Sequence, residues 1–118
     1  MSGPFHTSLM APAGEALAER FRSETFRAME FPVLFNCLGD VMGQGDTIPG
    51  LLVRQVQSSV HMEDTIRNMA AHGVDTILEI GPGKALSGFV KKTDKSITTY
   101  AVETAEDLEA AVAALKGA

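Results

Sequence analysis

The sequence has no tryptophan, a single tyrosine and a single cysteine, Cys37. One thiol cannot form an intramolecular disulfide, and no cysteine pair exists to open a zinc site. Nor is there an excess of positive charge: 10 Lys and Arg stand against 15 Asp and Glu, for a formal net charge of -5. That balance argues against a nucleic-acid binder, which carries a basic patch or stripe. Lys91 and Lys92, with Lys84 and Lys95 nearby, form the one basic cluster and read as a solvated helix end. No apolar run approaches the ~20 residues of a membrane span. The opening MSGPFHTSLM lacks the basic start and apolar stretch of a secretory signal. Cytoplasmic location, without nucleic acid or membrane as partner, is the expectation.

What is present is ordinary globular material, 45% hydrophobic and 21% charged over 118 residues, a length that suggests one domain. Ala13, Leu17 and Phe21 recur at helical spacing, and Pro12 suits the first turn. Phe31–Asn36 reads as a short buried strand, and Gly39–Gly45 as a turn or loop. Thr47 can cap a helix with Pro49 in its first turn, and Leu52 and Val56 share a face. Ser58 or Ser59 opens the next helix, with Ile66, Met69 and Ala70 inward and Gly73 just past its end. Thr76–Ile80 is a second strand, and a helix starts near Ala85. Ser96–Val102 is a third strand. Thr104 and Asp107 make a capping pair for a last helix whose buried stripe is Leu108, Val112 and Leu115. Strands alternating with helices predict an α/β fold, a small three-layer parallel sheet with helices on both faces. Three strands are few for a complete sheet of this kind, which suggests a partial domain.

Candidate chemistry is sparse. The Gly81-Pro82-Gly83-Lys84 turn follows a strand and opens a helix, the setting of a phosphate-binding loop, with Glu103 placed where a ribose-binding acid would sit. Leu86 stands where the dinucleotide fingerprint needs its third glycine. The phosphate-loop pattern fails at Leu78 and Ala85. Cys37 after a strand is a conceivable nucleophile with His6, but a lone cysteine is more often a small buried hydrophobe. His61 and His72 lack a metal-ligand pattern and read as ordinary helix or surface histidines. No G-x-S-x-G elbow occurs: Ser87 precedes Gly88, but Ala85 stands two before it.

His6 gains meaning from its surroundings. Pro4-Phe5-His6-Thr7-Ser8-Leu9-Met10-Ala11-Pro12-Ala13 resembles the histidine motif P-F-H-S-x-L-M-x-P-A of malonyl-CoA:acyl carrier protein transacylases. Leu52-Val53-Arg54-Gln55 resembles that family's L-V-R-Q. Met69–Val74 resembles its M-A-x-x-G-V, and Glu79–Gly88 its E-[IV]-G-P-G-K-x-L-[ST]-G, all in order and in register. The resemblance runs from Pro4 to about Lys92. Ser59 and Met62 depart from it, standing where the family commonly has proline and tryptophan.

The resemblance implies an acyltransferase of fatty acid biosynthesis that moves malonyl from coenzyme A to the phosphopantetheine thiol of acyl carrier protein, through an acyl-serine and without a cofactor. It implies His6 as general base, held by the backbone carbonyl of Gln55, so that the main chain replaces the aspartate of a usual triad. Histidine suits the task because free imidazole titrates at about 6.5. It further implies that residues 1–118 form a single partial domain, the carboxyl-terminal part of a large α/β-hydrolase-like subdomain. The family's serine elbow, its malonate-binding arginine and its ferredoxin-like subdomain lie upstream of the histidine motif, so the expectation is a truncated chain inactive alone. The other readings are a non-catalytic interaction or oligomerisation module, as a homo-oligomer or with a missing amino-terminal portion, and a nucleotide-binding module using the Gly81–Gly83 turn.

Overall fold

The computed structural model describes residues 4–117. Its helices are α1 (Ala11–Phe21), α2 (Ile48–Val56), α3 (Met62–Ala71), α4 (Ala85–Thr93) and α5 (Ala105–Lys116), and its strands β1 (Leu34–Phe35), β2 (Asp40–Val41), β3 (Thr76–Ile80) and β4 (Thr98–Val102). A single 3-10 turn, Ser8–Met10, leads into α1. The fold is mixed α/β, as the alternating pattern predicts, and the chain divides into two compact units at Thr65 and Ile66.

In the first unit α1 lies against α2. Gly14 is buried there, and a Cβ on it would stand 2.9 Å from Nε2 of Gln57, so glycine permits the close approach of the two helices. The Thr47 side chain caps α2 by accepting from the Gly50 N–H at 3.1 Å, with Pro49 in the first turn. Phe35, Cys37 and Leu51 form the buried centre, and Val33, Leu38, Met42, Ile48 and Leu52 pack around them. Burial of such side chains is the main favourable term holding α2 in place.

The apolar run Phe31–Asn36 forms only the two-residue β1, which pairs antiparallel with β2 through Leu34↔Val41 and Phe35↔Asp40. It therefore makes a hairpin and adds no third parallel strand. Proline at position 32 cannot donate to a ladder, and Phe31 is 71% exposed. The carbonyl of Phe35 already accepts from Leu38 and Gly39, which turns the chain back on itself. Gly39 sits in the left-handed region at φ 69°, facing His61 and Asp64. The helix expected from Ser58 or Ser59 begins later, at Met62: the Ser58 N–H is still given to the Gln55 carbonyl at 3.4 Å, and the His61 N–H goes to the Asn36 carbonyl at 2.8 Å.

In the second unit β3 and β4 pair in parallel, from Thr76↔Thr98 to Ile80↔Val102. Parallel strands need a crossover, and α4 supplies it. Gly73 ends α3 in the left-handed conformation at φ 90°. Thr104 and Asp107 close a complete capping box on α5. The stripe Leu108, Val112 and Leu115 is not buried: these residues are 51%, 40% and 42% exposed, while Ala111 is 3% exposed. At 100° per residue Ala111 lies at one margin of the stripe, so packing reaches only that margin. Among the described residues no helix is long and apolar enough to cross a membrane.

Candidate active site

His6 lies in a turn just before the 3-10 segment, exposed and with φ at 62°. A non-glycine residue held in that left-handed region is strained by ~1–3 kcal/mol and persists only where its surroundings impose it. Here two contacts do so. The His6 N–H donates to the Val56 carbonyl at 3.1 Å. Nδ1 of the ring lies 2.9 Å from the Gln55 carbonyl oxygen.

Both acceptors come from the end of α2, where the last carbonyls of a helix lack intrahelical partners. A carbonyl oxygen can only accept, so this contact requires the proton on Nδ1. In the neutral ring that leaves Nε2 with a free lone pair. One ring nitrogen is thus anchored to the main chain and the other is left able to accept a proton, on an exposed side chain. His6 and Gln55, 49 residues apart, are brought together. Because the acceptor is a main-chain oxygen, the side chain at position 55 is not part of the contact.

The remaining candidates have different surroundings. Cys37 is buried, and its Sγ lies 3.7 Å from the Leu51 carbonyl, the setting of a packed hydrophobe. His61 sits beside Asp64 at 3.9 Å on an exposed face. Among the described residues no group of three or more His, Cys, Asp or Glu could hold a metal ion.

The Gly81–Gly83 turn also looks different in three dimensions. The carboxylate of Glu79 accepts from the Leu86 N–H at 3.1 Å, the Ser87 N–H at 2.8 Å and the Ser87 hydroxyl at 2.8 Å. Two of the first-turn donors that a phosphate would use, the Leu86 and Ser87 N–H groups, are thus occupied by the protein's own anion. The Ser87 hydroxyl and N–H bonds hold the Glu79 carboxyl below the usual carboxylate range. Glu103 accepts weakly from Gly83 at 3.4 Å, so this acid too is turned toward the loop itself. Sequence reasoning missed this closure, although an acid ending a strand just before a glycine turn and a new helix is its signal. It also missed the Val56 carbonyl and the bond from the Thr7 hydroxyl to the Pro4 carbonyl, 2.6 Å long, that accompanies the His6 turn.

No family model matches the chain. Curated proteins and solved structures do. The malonyl CoA-acyl carrier protein transacylase of Bacillus subtilis is 42% identical over 116 residues, which is 98% of this chain and 37% of that protein. The crystal structure of malonyl CoA-acyl carrier protein transacylase from Clostridium perfringens superimposes with a TM-score of 0.93 at 39% identity, over 99% of this chain and 37% of the other. A malonyl-transacylase solved in complex with its type II PKS acyl-carrier protein matches at 33% identity and a TM-score of 0.82, over 93% of this chain and 36% of the other. By sequence and by fold, the chain is therefore similar to one stretch of malonyl-CoA:acyl carrier protein transacylases, and it spans about 37% of the length of these relatives.

Proposed function

We propose that this chain carries the histidine half of a malonyl-CoA:acyl carrier protein S-malonyltransferase, with His6 as general base. The observation that carries the reading is the 2.9 Å contact from Nδ1 of His6 to the Gln55 carbonyl, which leaves Nε2 open. In the reaction, Nε2 takes the proton of a serine hydroxyl as the serine oxygen attacks the malonyl thioester. The carbon–sulfur bond breaks, and the departing coenzyme A thiolate receives that proton. The acyl-serine is then attacked by the phosphopantetheine thiol of acyl carrier protein, with Nε2 again taking and returning the proton. No metal or redox step is needed for the balance.

The serine is not among these 118 residues. On this reading they form a partial domain, the carboxyl-terminal part of the large subdomain. The nucleophile elbow, the carboxylate-binding arginine and the ferredoxin-like subdomain belong to the remainder of the fold. The 118 residues alone are then expected to transfer no malonyl group. The experiment is intact-mass spectrometry after mixing the chain with malonyl-CoA, with and without the complementary amino-terminal portion of the Bacillus subtilis enzyme. A malonyl adduct on the partner's serine, lost with His6→Ala, supports the reading. No adduct in either mixture, from a chain shown to be folded, overturns it.

A second reading, an interaction or oligomerisation module, is favoured by one observation. The second unit leaves Ile80, Leu86, Phe89 and Leu108 exposed, at 81%, 45%, 54% and 51%. Apolar surface of this kind marks a contact site or an aggregation liability. Sedimentation at high concentration tests it: concentration-dependent dimerisation supports the module, and a single monomeric species counts against it.

A further inference from the structure

The geometry points to Thr7 as a positioning residue for His6, a reading that rests on the proposed role of His6 as base. Three facts converge on the loop. His6 adopts φ 62°, a backbone state that a side chain with a Cβ does not choose unaided. The chain turns at Phe5 and His6. The Thr7 hydroxyl donates to the Pro4 carbonyl at 2.6 Å, which ties together the two residues that flank that turn. The Thr7 carbonyl, in turn, accepts from the Met10 N–H at 3.0 Å, which fastens the same residue to the 3-10 segment leading into α1.

The Thr7 hydroxyl closes the turn at Phe5 and His6, and its carbonyl anchors that turn to the 3-10 segment leading into α1, the helix that packs on α2. The two carbonyls that hold His6, from Gln55 and Val56, come from α2. Without the hydroxyl bond only the two α2 carbonyls oppose relaxation of the Pro4–Thr7 segment toward negative φ at His6. The imidazole would then swing away from Gln55, and nothing would keep the proton on Nδ1. Thr7 touches neither substrate nor reacting atom in the proposed reaction. Its effect passes through the ring orientation and the tautomer of its neighbour, which is how second-layer groups act on catalytic histidines.

The test reads the tautomer directly, without requiring catalysis. The chain is labelled with nitrogen-15 histidine. The signals of its three histidines are assigned by single substitution of His61 and His72, and the ring nitrogen shifts of His6 are followed with pH. Thr7→Val keeps the size and removes the hydroxyl. Thr7→Ala is a second hydroxyl-free side chain in case β-branched valine disturbs the loop, and Thr7→Ser restores the hydroxyl. The expectation is a neutral His6 protonated on Nδ1 in the native chain and in Thr7→Ser, and an averaged, free-imidazole pattern in Thr7→Val and Thr7→Ala. The His6 amide is expected to exchange faster in the hydroxyl-free variants. In the mixture with the amino-terminal portion, the malonyl transfer rate is expected to drop ~10- to 100-fold for Thr7→Val and to be kept by Thr7→Ser, since small misplacements of a catalytic group cost rates of this order. Folded hydroxyl-free variants that keep the Nδ1 proton and native amide exchange overturn the assignment. If the native mixture transfers no malonyl group at all, the proposed function fails, and the tautomer experiment still decides the role of Thr7.

Discussion

Truncating Leu51 to alanine tests whether the scaffold behind His6 is a packed core. Leu51 is 2% exposed and sits on α2 between Thr47, which caps that helix, and Gln55 and Val56, whose carbonyls hold His6. It shares the buried centre with Phe35 and Cys37. Its transfer from water contributes ~1.5–3 kcal/mol. The Leu51→Ala cavity adds to that loss, because neighbours held in a hairpin and a helix relax only partly. Together these give an expected destabilisation of ~2–5 kcal/mol. With a urea dependence of ~1–3 kcal/mol per molar, the unfolding midpoint is expected to fall by ~0.7–5 M. Leu9→Ala is the control, since Leu9 is 73% exposed in the same unit, and its cost is expected within ~0.5 kcal/mol. Both are measured by circular dichroism in urea. If Leu51→Ala costs no more than Leu9→Ala, the Phe35–Cys37–Leu51 cluster is not a core, and the placement of α2 needs another explanation.

Three further outcomes follow from local geometry. Glu79 has its folded pKa lowered below the usual 4.5; its contribution is present above that value and is lost as pH falls through the lowered folded one. Urea midpoints should therefore decline on acidification, less steeply in Glu79→Gln, and identical pH profiles would remove Glu79 from the account. Gly39→Ala is expected to destabilise by at least ~1–3 kcal/mol, because φ is 69° and the new Cβ would stand 2.7 Å from the Cβ of Asp64. Gly45→Ala, with φ 89° and open space, isolates the backbone part, and equal unfolding free energies for the two would show that the contact carries no weight. Thr104→Ala removes the acceptor for the Asp107 N–H in the α5 capping box and is expected to cost ~1 kcal/mol. Thr104→Ser should recover it in thermal melts.

The elements that sequence alone placed well are those whose signals are local. Thr104 and Asp107 announce the start of α5, Thr47 and Pro49 that of α2, and Gly73 the end of α3, because a cap or a left-handed residue satisfies backbone groups a few positions away. Thr76–Ile80 was legible for the same reason, as an apolar run bounded by turn residues. The hairpin of β1 and β2 was not. Its run of apolar residues fits a buried parallel strand equally well, and only the turn at Phe35–Gly39 decides otherwise. For His6 the neighbouring residue types carry no signal of this kind. Its contact with Gln55 spans 49 positions, beyond any local signal, and became legible only through the resemblance of two separated motifs.

The same distinction explains the α5 stripe. Spacing showed that Leu108, Val112 and Leu115 share a face, and that much is a property of the helix. Whether the face is buried depends on what lies against it. Packing reaches Ala111 and leaves the stripe half open, just as Ile80 at the end of β3 is left open. Hydrophobic periodicity records the contacts a sequence was selected to make, whichever segment makes them. These residues match relatives whose chains are much longer, of which they span about 37%. On the proposed function, the partner that covers the stripe and the partner that brings the serine to His6 are one polypeptide segment. Binding and malonyl transfer should then appear together when that segment is supplied.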